Sequence, residues 1–242
     1  MTNSYVAIDI ETTGLLPKRD KILEIAALKV EAGAVTERYV TLVNPGRAIT
    51  DEITRLTGIT DEMVAGAPKI EEVIGTVGEF CSGLPLLGHN VLFDYSFLKQ
   101  AAVNAGLEMD GKALDTLGLC RALMPKEGSK ALSAACAWYH VLQTEAHRAQ
   151  ADAMSAHLLY QKLLERHGKE RPELFKPGVL KVQIKREQPA TKRQKDYLRD
   201  LVKYHRINVT VQIDSLSRSE ASRMVDQIIS QYGRMTKKVN GE

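Results

Sequence analysis

The sequence predicts an α/β protein in which helices flank a sheet of mixed strand direction. Three strand patterns come first and are joined by short turns, which is typical of antiparallel strands. Strand patterns then alternate with helical ones, an order that adds parallel strands to the sheet. The chain has 242 residues, 44% of them hydrophobic and 26% charged, an ordinary composition for a globular protein with a substantial core.

The first strand begins at Tyr5 and leads into the segment Asp-Ile-Glu-Thr-Thr-Gly, which ends at Gly14. An apolar run with β-branched residues is typical of a buried strand. Residues 22–30 have the second strand pattern, and a turn at 31–33 leads into the third, at 35–43. Such short connections predict an antiparallel meander.

The middle of the chain is mainly helical and contains two short strands. Residues 84–88 and 113–115 are brief apolar segments, each followed directly by a helical pattern. The helical patterns cover residues 51–56, 70–81, 91–104, 116–123 and 132–139, and a last one ends near 167–168.

The C-terminal third differs from the rest in charge and composition. Residues 1–165 contain 15 Lys and Arg against 21 Asp and Glu, whereas residues 166–242 contain 18 against 9. The net charges are therefore −6 and +9. Residues 169–190 hold three prolines and little periodicity, which is typical of a linker. We predict a domain at 1–168, a linker at 169–190 and a small, basic, mainly helical module at 191–242.

The basic module carries no chemical motif. Its second helix follows a capping-box pattern at Ser217 and Glu220. Its first helix bears six cations: Lys192, Arg193, Lys195, Arg199, Lys203 and Arg206. They could lie along the phosphates of a nucleic acid. A helix pair that docks onto a DNA polymerase or another replication or repair protein, and a plain solvated surface, are alternatives that stay open.

Cysteine usage and hydropathy predict a cytoplasmic protein. Cys81, Cys120 and Cys136 are odd in number and form no Cys-x-x-Cys pair, so we expect no disulfide framework. No signal-peptide pattern is present, and no apolar run approaches the roughly 18 residues of a membrane span. We therefore expect no membrane partner.

Two carboxylates lie at the end of the first strand. Residues i and i+2 of a strand share a face, so Asp9 and Glu11 are expected to point the same way. Neighbouring like charges repel, and a hard cation such as Mg²⁺ or Mn²⁺ relieves that repulsion. An edge strand whose two acids lie in water is the simpler alternative, and these two residues alone favour it.

Three later residues extend this acidic pattern. Asp94 lies one turn into a helix that follows a strand, and Asp152 begins the last long helix, just after His147. Each has an ordinary explanation, because acids stabilise the first turn of a helix and a single histidine is most often structural. The ordered set Asp-x-Glu-Thr-Thr-Gly, His-Asn-x-x-Phe-Asp and His-Arg-Ala-x-x-Asp nevertheless favours one shared site.

This set resembles the DEDD superfamily of exonucleases, in its histidine-bearing DEDDh (DnaQ-like) subgroup, which includes the proofreading subunit of bacterial DNA polymerase. The resemblance covers about residues 4–166. It implies a ribonuclease H-like fold with a five-stranded mixed sheet. It also implies a hydrolase that cuts phosphodiester bonds at 3′ ends and releases nucleoside 5′-monophosphates. A tyrosine subgroup has Tyr at the position of Arg148, so His147 indicates the histidine subgroup.

By the resemblance, four acids hold two divalent ions, Mg²⁺ or Mn²⁺. Asp9 would bridge both ions, and Glu11 and Asp152 would complete the site that activates water. Asp94 would support the second ion. His147 would be the general base, because a reference pKa of about 6.5 suits that role at neutral pH.

The resemblance also implies a substrate and its contacts. Backbone amides near Thr12, Thr13 and Gly14 would hold a 3′ end of single-stranded DNA or RNA. Four further positions are expected to contact bases: Ile59, His89, Asn90 and Phe93. An exoribonuclease that trims RNA is one alternative, since no residue reveals a contact to the 2′-hydroxyl. A polymerase-associated binding module without catalysis is the other, and the complete set of acids counts against it.

Overall fold

The computed structural model describes residues 2–143, 148–209 and 211–235. Its sheet contains β1 (Tyr5–Thr12), β2 (Ile22–Glu31), β3 (Ala34–Leu42), β4 (Leu86–Gly88), β5 (Lys112–Asp115) and β6 (Gly178–Val179), in the order β3-β2-β1-β4-β5-β6. The first three strands form the predicted antiparallel meander. β4 runs parallel to β1, and β5 runs parallel to β4. The predicted mixed sheet is therefore confirmed.

One strand more than the predicted five is present. β6 pairs antiparallel with β5 and lies inside the segment predicted as a linker. Just before it, a 3₁₀ helix at Pro172–Phe175 buries Phe175 completely, with its ring 5.9 Å from that of Tyr160. The first half of the predicted linker is therefore packed onto the sheet domain.

Helices cover both faces of the sheet. In the described residues the helices of the sheet domain are α1 (Asp51–Thr57), α2 (Asp61–Val64), α3 (Ile70–Phe80), α4 (Val91–Ala105), α5 (Thr116–Leu123), α6 (Leu132–Trp138) and α7 (Ala149–His167), and two further helices, α8 (Lys192–His205) and α9 (Arg218–Tyr232), follow it in the chain. Only the four-residue α2 has no counterpart among the predicted helices. Across the described part of the chain, none of these helices has the length and apolar character needed to span a bilayer.

The chain divides into two compact units. The larger comprises the described residues of Met1–Pro45 and Ile49–Lys185, and the smaller comprises those of Gly46–Ala48 and Arg186–Glu242. The domain bounds expected from the sequence remain predictions. In the smaller unit, α8 and α9 pack through a thin apolar core that includes Leu198, Leu201, Ala221 and Ile228.

The alternation of side chains along β1 decides where its acids point. Tyr5 and Ala7 lie in the core cluster that contains the apolar residues of α7, whereas Val6, Ile8 and Ile10 lie in the cluster formed with α3 and α4. Because strand side chains alternate between faces, Asp9 and Glu11 continue the face of Tyr5 and Ala7. The two acids therefore face α7 at the carboxyl end of the strand.

Candidate active site

Three of the predicted acids meet beside β1. One carboxylate oxygen from each of Asp9, Glu11 and Asp152 can be chosen so that all three lie within 4.8 Å of one another. Asp9 and Glu11 come from the same face of β1, and Asp152 comes from the first turn of α7, which packs on that face. Residues separated by more than 140 positions in the sequence thus form one acidic cluster.

The fourth acid approaches β1 from α4. Asp94 is 4% exposed, and its Oδ1 accepts a hydrogen bond of 3.1 Å from the backbone N–H of Ile10. It lies outside the group of three, but its charge acts on Asp9. Burial raises the pKa of Asp9 well above its usual range, and the charges of Asp94, Asp152 and Glu11 raise it further.

The neighbouring acids are also hard to ionise. Burial, followed by the charges of Asp152 and Glu24, raises the pKa of Glu11 to about 7, and Arg148 opposes that rise. Burial raises the pKa of Asp94 to about 8, although its backbone hydrogen bonds lower it. A divalent cation would relieve the repulsion among these crowded carboxylates. Mg²⁺ and Mn²⁺ prefer hard oxygen ligands of this kind. The donor set therefore fits a divalent cation.

Two residues next to the acids, Glu24 and Arg148, were not predicted as site residues from the sequence. Glu24 of β2 is directly opposite Glu11 in the strand register and is 2% exposed. Its carboxylate accepts hydrogen bonds from Arg148 Nε at 3.1 Å and Nη2 at 2.8 Å, and from the backbone N–H of Ala149 at 3.1 Å. The available signal was a single acid within the apolar run at 22–30.

The turn after β1 is held by its own hydrogen bonds. Thr12 Oγ1 donates to the carbonyl of Gly14 at 2.6 Å, and the N–H of Thr13 donates to the carbonyl of Lys21 at 2.8 Å. The amide of Thr13 therefore already has an acceptor within the chain, and its expected contact with the substrate stays a prediction. The amide of Gly14 has no hydrogen-bond acceptor among the described residues.

Two large apolar side chains follow this turn. Leu15 is 77% exposed and Leu16 is 51% exposed. Their turn is fixed because Asp20 Oδ2 accepts the N–H of Leu16 at 2.8 Å. Exposed leucines on a fixed turn beside an acidic cluster are candidates for contact with an apolar surface such as a base. The sequence prediction missed both.

The four expected base contacts have different surroundings. Ile59 is completely buried in a cluster with Leu23 and Val64, so its predicted contact with substrate is corrected to a core position. Phe93 is half-buried, with its ring 5.1 Å from that of Phe97. Because Phe93 also packs against the core cluster of α4, only part of its ring is accessible.

His89 and Asn90 lie at the junction of β4 and α4. Both ring nitrogens of His89 are hydrogen-bonded, Nδ1 with Thr116 Oγ1 at 2.9 Å and Nε2 with the carbonyl of Lys130 at 2.8 Å. Asn90 is exposed and has a left-handed backbone with φ of 71°. Its N–H donates to Asp115 Oδ1 at 2.8 Å. Of the four positions, Asn90 has the most accessible side chain. The remaining predicted site residue, His147, lies outside the described residues.

Fold and site together define a ribonuclease H-like α/β protein with a candidate metal centre at the end of its central strand. A family model described as Exonuclease (RNase_T) matches residues 6–160, more than half of the chain. The chain therefore belongs to this exonuclease family, which confirms the predicted family and the predicted class of enzyme.

Individual relatives agree with this assignment. A DNA polymerase III PolC-type protein of Caldanaerobacter subterraneus subsp. tengcongensis is 39% identical over 166 residues, which are 69% of this chain and 12% of that protein. The Bacillus subtilis protein named 3′-5′ exonuclease DinG is 35% identical over 164 residues, 67% of this chain and 18% of DinG. The chain thus spans less than a fifth of the length of these relatives.

A solved structure has the same fold. E. coli exonuclease I in complex with a dT13 oligonucleotide aligns with a TM-score of 0.61 and 20% sequence identity, over 72% of this chain and 43% of that one. At this identity the comparison supports the fold alone.

Proposed function

We propose that this chain is a metal-dependent 3′→5′ exonuclease that removes nucleotides from the 3′ ends of DNA strands. The convergence of Asp9, Glu11 and Asp152 carries the proposal, because hydrolysis of a phosphodiester builds negative charge that a cation in such a cluster can stabilise. The name of the DinG relative supports the 3′→5′ direction.

The proposed ligands divide into a group of three and a neighbour. Asp9, Glu11 and Asp152 would hold one divalent ion, Mg²⁺ or Mn²⁺, and Asp94 would help Asp9 to hold a second. Two such ions supply positive charge at the attacking and the leaving oxygen of the phosphodiester. We propose from the family resemblance that His147 accepts the proton of the attacking water at a ring nitrogen. The products would be nucleoside 5′-monophosphates.

The substrate would lie across the turn that follows β1. The amide of Gly14 would donate a hydrogen bond to the nucleic-acid strand, and Leu15 and Leu16 would contact its terminal bases. Asn90, exposed at the start of α4, would contact the same end. The name of the PolC relative supports a polymerase as a proposed protein partner. The exposed cations of α8 are proposed to bind phosphates of the nucleic-acid strand that lie farther from its 3′ end.

The decisive experiment is cleavage of a 5′-labelled, single-stranded DNA oligonucleotide by the full-length protein with Mn²⁺. We expect a ladder of products shortened from the 3′ end and the release of nucleoside 5′-monophosphates. Asp9→Asn and Asp152→Asn should each lower the rate at least 100-fold, because removal of one electrostatic contact in a catalytic site typically costs this much. Asp226→Asn, which removes an exposed acid of α9, is the matched control.

Metal binding is measured separately. Mn²⁺ should raise Tm of the wild type and leave Tm of Asp9→Asn nearly unchanged, since a ligand that binds only the folded state stabilises it. Failure to shorten any 3′-ended oligonucleotide in Mn²⁺ would overturn the proposal. RNA is assayed beside DNA, and faster cleavage of RNA would replace the proposed substrate by the exoribonuclease alternative.

A further inference from the structure

Glu24 is an unusual residue for its position. It lies within the apolar strand β2 and is 2% exposed, and a buried carboxylate is costly unless it is paired and hydrogen-bonded. The bidentate pair with Arg148 and the bond from the N–H of Ala149 provide that compensation. These contacts join positions separated by more than 120 residues in the sequence.

Both of these donors lie at the start of α7. Arg148 is the residue that precedes the helix, and Ala149 is its first residue. The carbonyl of Arg148 in turn accepts the N–H of Asp152 at 3.0 Å. A continuous series of hydrogen bonds thus leads from Glu24 to the first turn of α7, which carries Asp152 into the acidic cluster.

The pair is also nearly neutral beside the cluster. Glu24 alone would add a further negative charge opposite Glu11, and Arg148 alone would compete with a divalent cation for the same carboxylates. As a bidentate pair, the two charges largely cancel. The pair therefore orders the start of α7 without opposing cation binding.

We propose that Glu24 and Arg148 form a positioning pair that sets the location of Asp152 relative to Asp9 and Glu11. This inference rests on the proposed function, because a displaced Asp152 matters only if the cluster holds a reactive metal. Neither residue of the pair is a catalytic residue. A displacement of about 1 Å in a catalytic group can cost 100-fold in rate, and partners of metal ligands typically affect metal affinity or activity 10- to 100-fold.

A stabilising role alone predicts a different outcome. Replacement of a buried ion pair by apolar residues of similar size is often neutral or stabilising, whereas removal of one partner is destabilising. The double variant Glu24→Leu/Arg148→Met should therefore fold, while it lacks the specific bonds that orient α7. Arg148→Lys keeps the charge and loses the bidentate geometry.

The test compares these two variants with the wild type and with Lys29→Met. The control breaks another ion pair of β2, Lys29 with Glu37, whose lysine lies over the ring of Phe80 in α3. We expect the double variant and Arg148→Lys to keep Tm within a few degrees in chelator. Both should lower kcat by 10- to 100-fold, with KM for the oligonucleotide within threefold. Both should also weaken Mn²⁺ binding, measured by titration calorimetry, by at least tenfold.

The control should leave kcat and Mn²⁺ affinity unchanged. Wild-type kcat and Mn²⁺ affinity in folded Arg148→Lys would overturn the inference, and so would equal losses in the control. If the double variant does not fold, Arg148→Lys alone decides. If the wild type cleaves no oligonucleotide, the proposed function fails, whereas a specific loss of Mn²⁺ affinity in Arg148→Lys would still support the positioning role.

Discussion

The acids of the cluster oppose one another's ionisation, and this has a consequence for stability. The pKa values of Glu11, about 7, and Asp94, about 8, are raised above those of the unfolded chain. The folded protein therefore retains protons that the unfolded chain has released, and stability falls as pH rises between these two sets of pKa values. In chelator, we therefore expect the free energy of unfolding to fall steadily between pH 5 and pH 8.

Urea denaturation at a series of pH values, with and without Mg²⁺, measures this effect. Saturating Mg²⁺ should abolish the fall, because the cation replaces the protons. In chelator, Glu11→Gln should be more stable than the wild type, and by a larger margin at pH 8 than at pH 5. Stability that rises with pH in chelator would contradict the electrostatic description of the site.

Leu15 gives a second prediction for a single residue. Its side chain is 77% exposed, so Leu15→Ser should leave Tm unchanged. If the side chain packs on a terminal base, its removal costs about 1 kcal/mol of apolar burial and raises KM about fivefold with kcat within twofold. Steady-state kinetics on a short oligonucleotide measure this, with the exposed Leu107→Ser as the matched control. An unchanged KM would exclude contact between Leu15 and the substrate.

At the level of secondary structure, local patterns predicted the elements and the antiparallel pairing of the first three strands, but not the register of that pairing. The apolar run of β1 and the periodicity of the helices were sufficient for their approximate bounds. The proximity of Glu24 and Glu11 depends on the register of β1 against β2, which shifts at a bulge between Glu11 and Thr12. No pattern within either strand contains that register, so the ion pair with Arg148 could not be predicted.

The predicted site residues differ in burial and in how far the sequence determines their positions. Strand alternation predicted that Asp9 and Glu11 share a face, whereas the ordered motifs and the family resemblance joined Asp152 to them. Ile59 could not be judged in this way, because an isoleucine in a short connection is equally compatible with a core and with a surface position. Only the packing of Leu23 and Val64 around it identifies it as a core residue.

The turn after β1 gives a prediction for a structural element. An added Cβ at Gly14 would lie 2.5 Å from Asp20 Oδ2, the atom that accepts the N–H of Leu16. Gly14→Ala should therefore displace the Asp20 carboxylate and cost about 1–2 kcal/mol of stability through the lost hydrogen bond and the crowding. In an Asp20→Ala background the same substitution should cost much less. Urea denaturation of the wild type, Gly14→Ala, Asp20→Ala and the double variant measures the coupling between the two positions. Equal costs of Gly14→Ala in both backgrounds would contradict the prediction.

For the whole molecule, composition and charge predicted two regions with a linker between them. Residues 172–179 lack periodicity, and their two prolines and mixed charges are typical of a linker. They are nevertheless structured, because Phe175 fills the core beside Tyr160 and β6 extends the sheet. The two-residue strand β6 is defined only by its pairing with β5 and is too short to have a recognisable pattern in the sequence. A truncation intended to remove the smaller unit should therefore keep the residues up to 185.

The basic smaller unit gives the last prediction. Two of the five Lys and Arg residues of α8 are already paired within this unit, because Lys195 and Arg199 bind Asp214. Lys192, Arg193 and Lys203 are exposed and have no ion pair in the described part of the chain. If each contacts one phosphate of a single strand, replacement of all three by Gln should lower the slope of log Kd against log salt concentration by about 2, at roughly 0.7 for each contact.

Fluorescence anisotropy with a long oligonucleotide in chelator measures this slope without cleavage. The matched control replaces three exposed lysines of the larger unit, Lys169, Lys176 and Lys181, by Gln and should keep the wild-type slope. Turnover of short oligomers should be unchanged in both variants, because the acidic cluster lies in the larger unit. An unchanged slope in the α8 variant would reject contact between this helix and the phosphates. Because the same cations would then be free to meet an acidic protein surface, that result would favour the docking alternative.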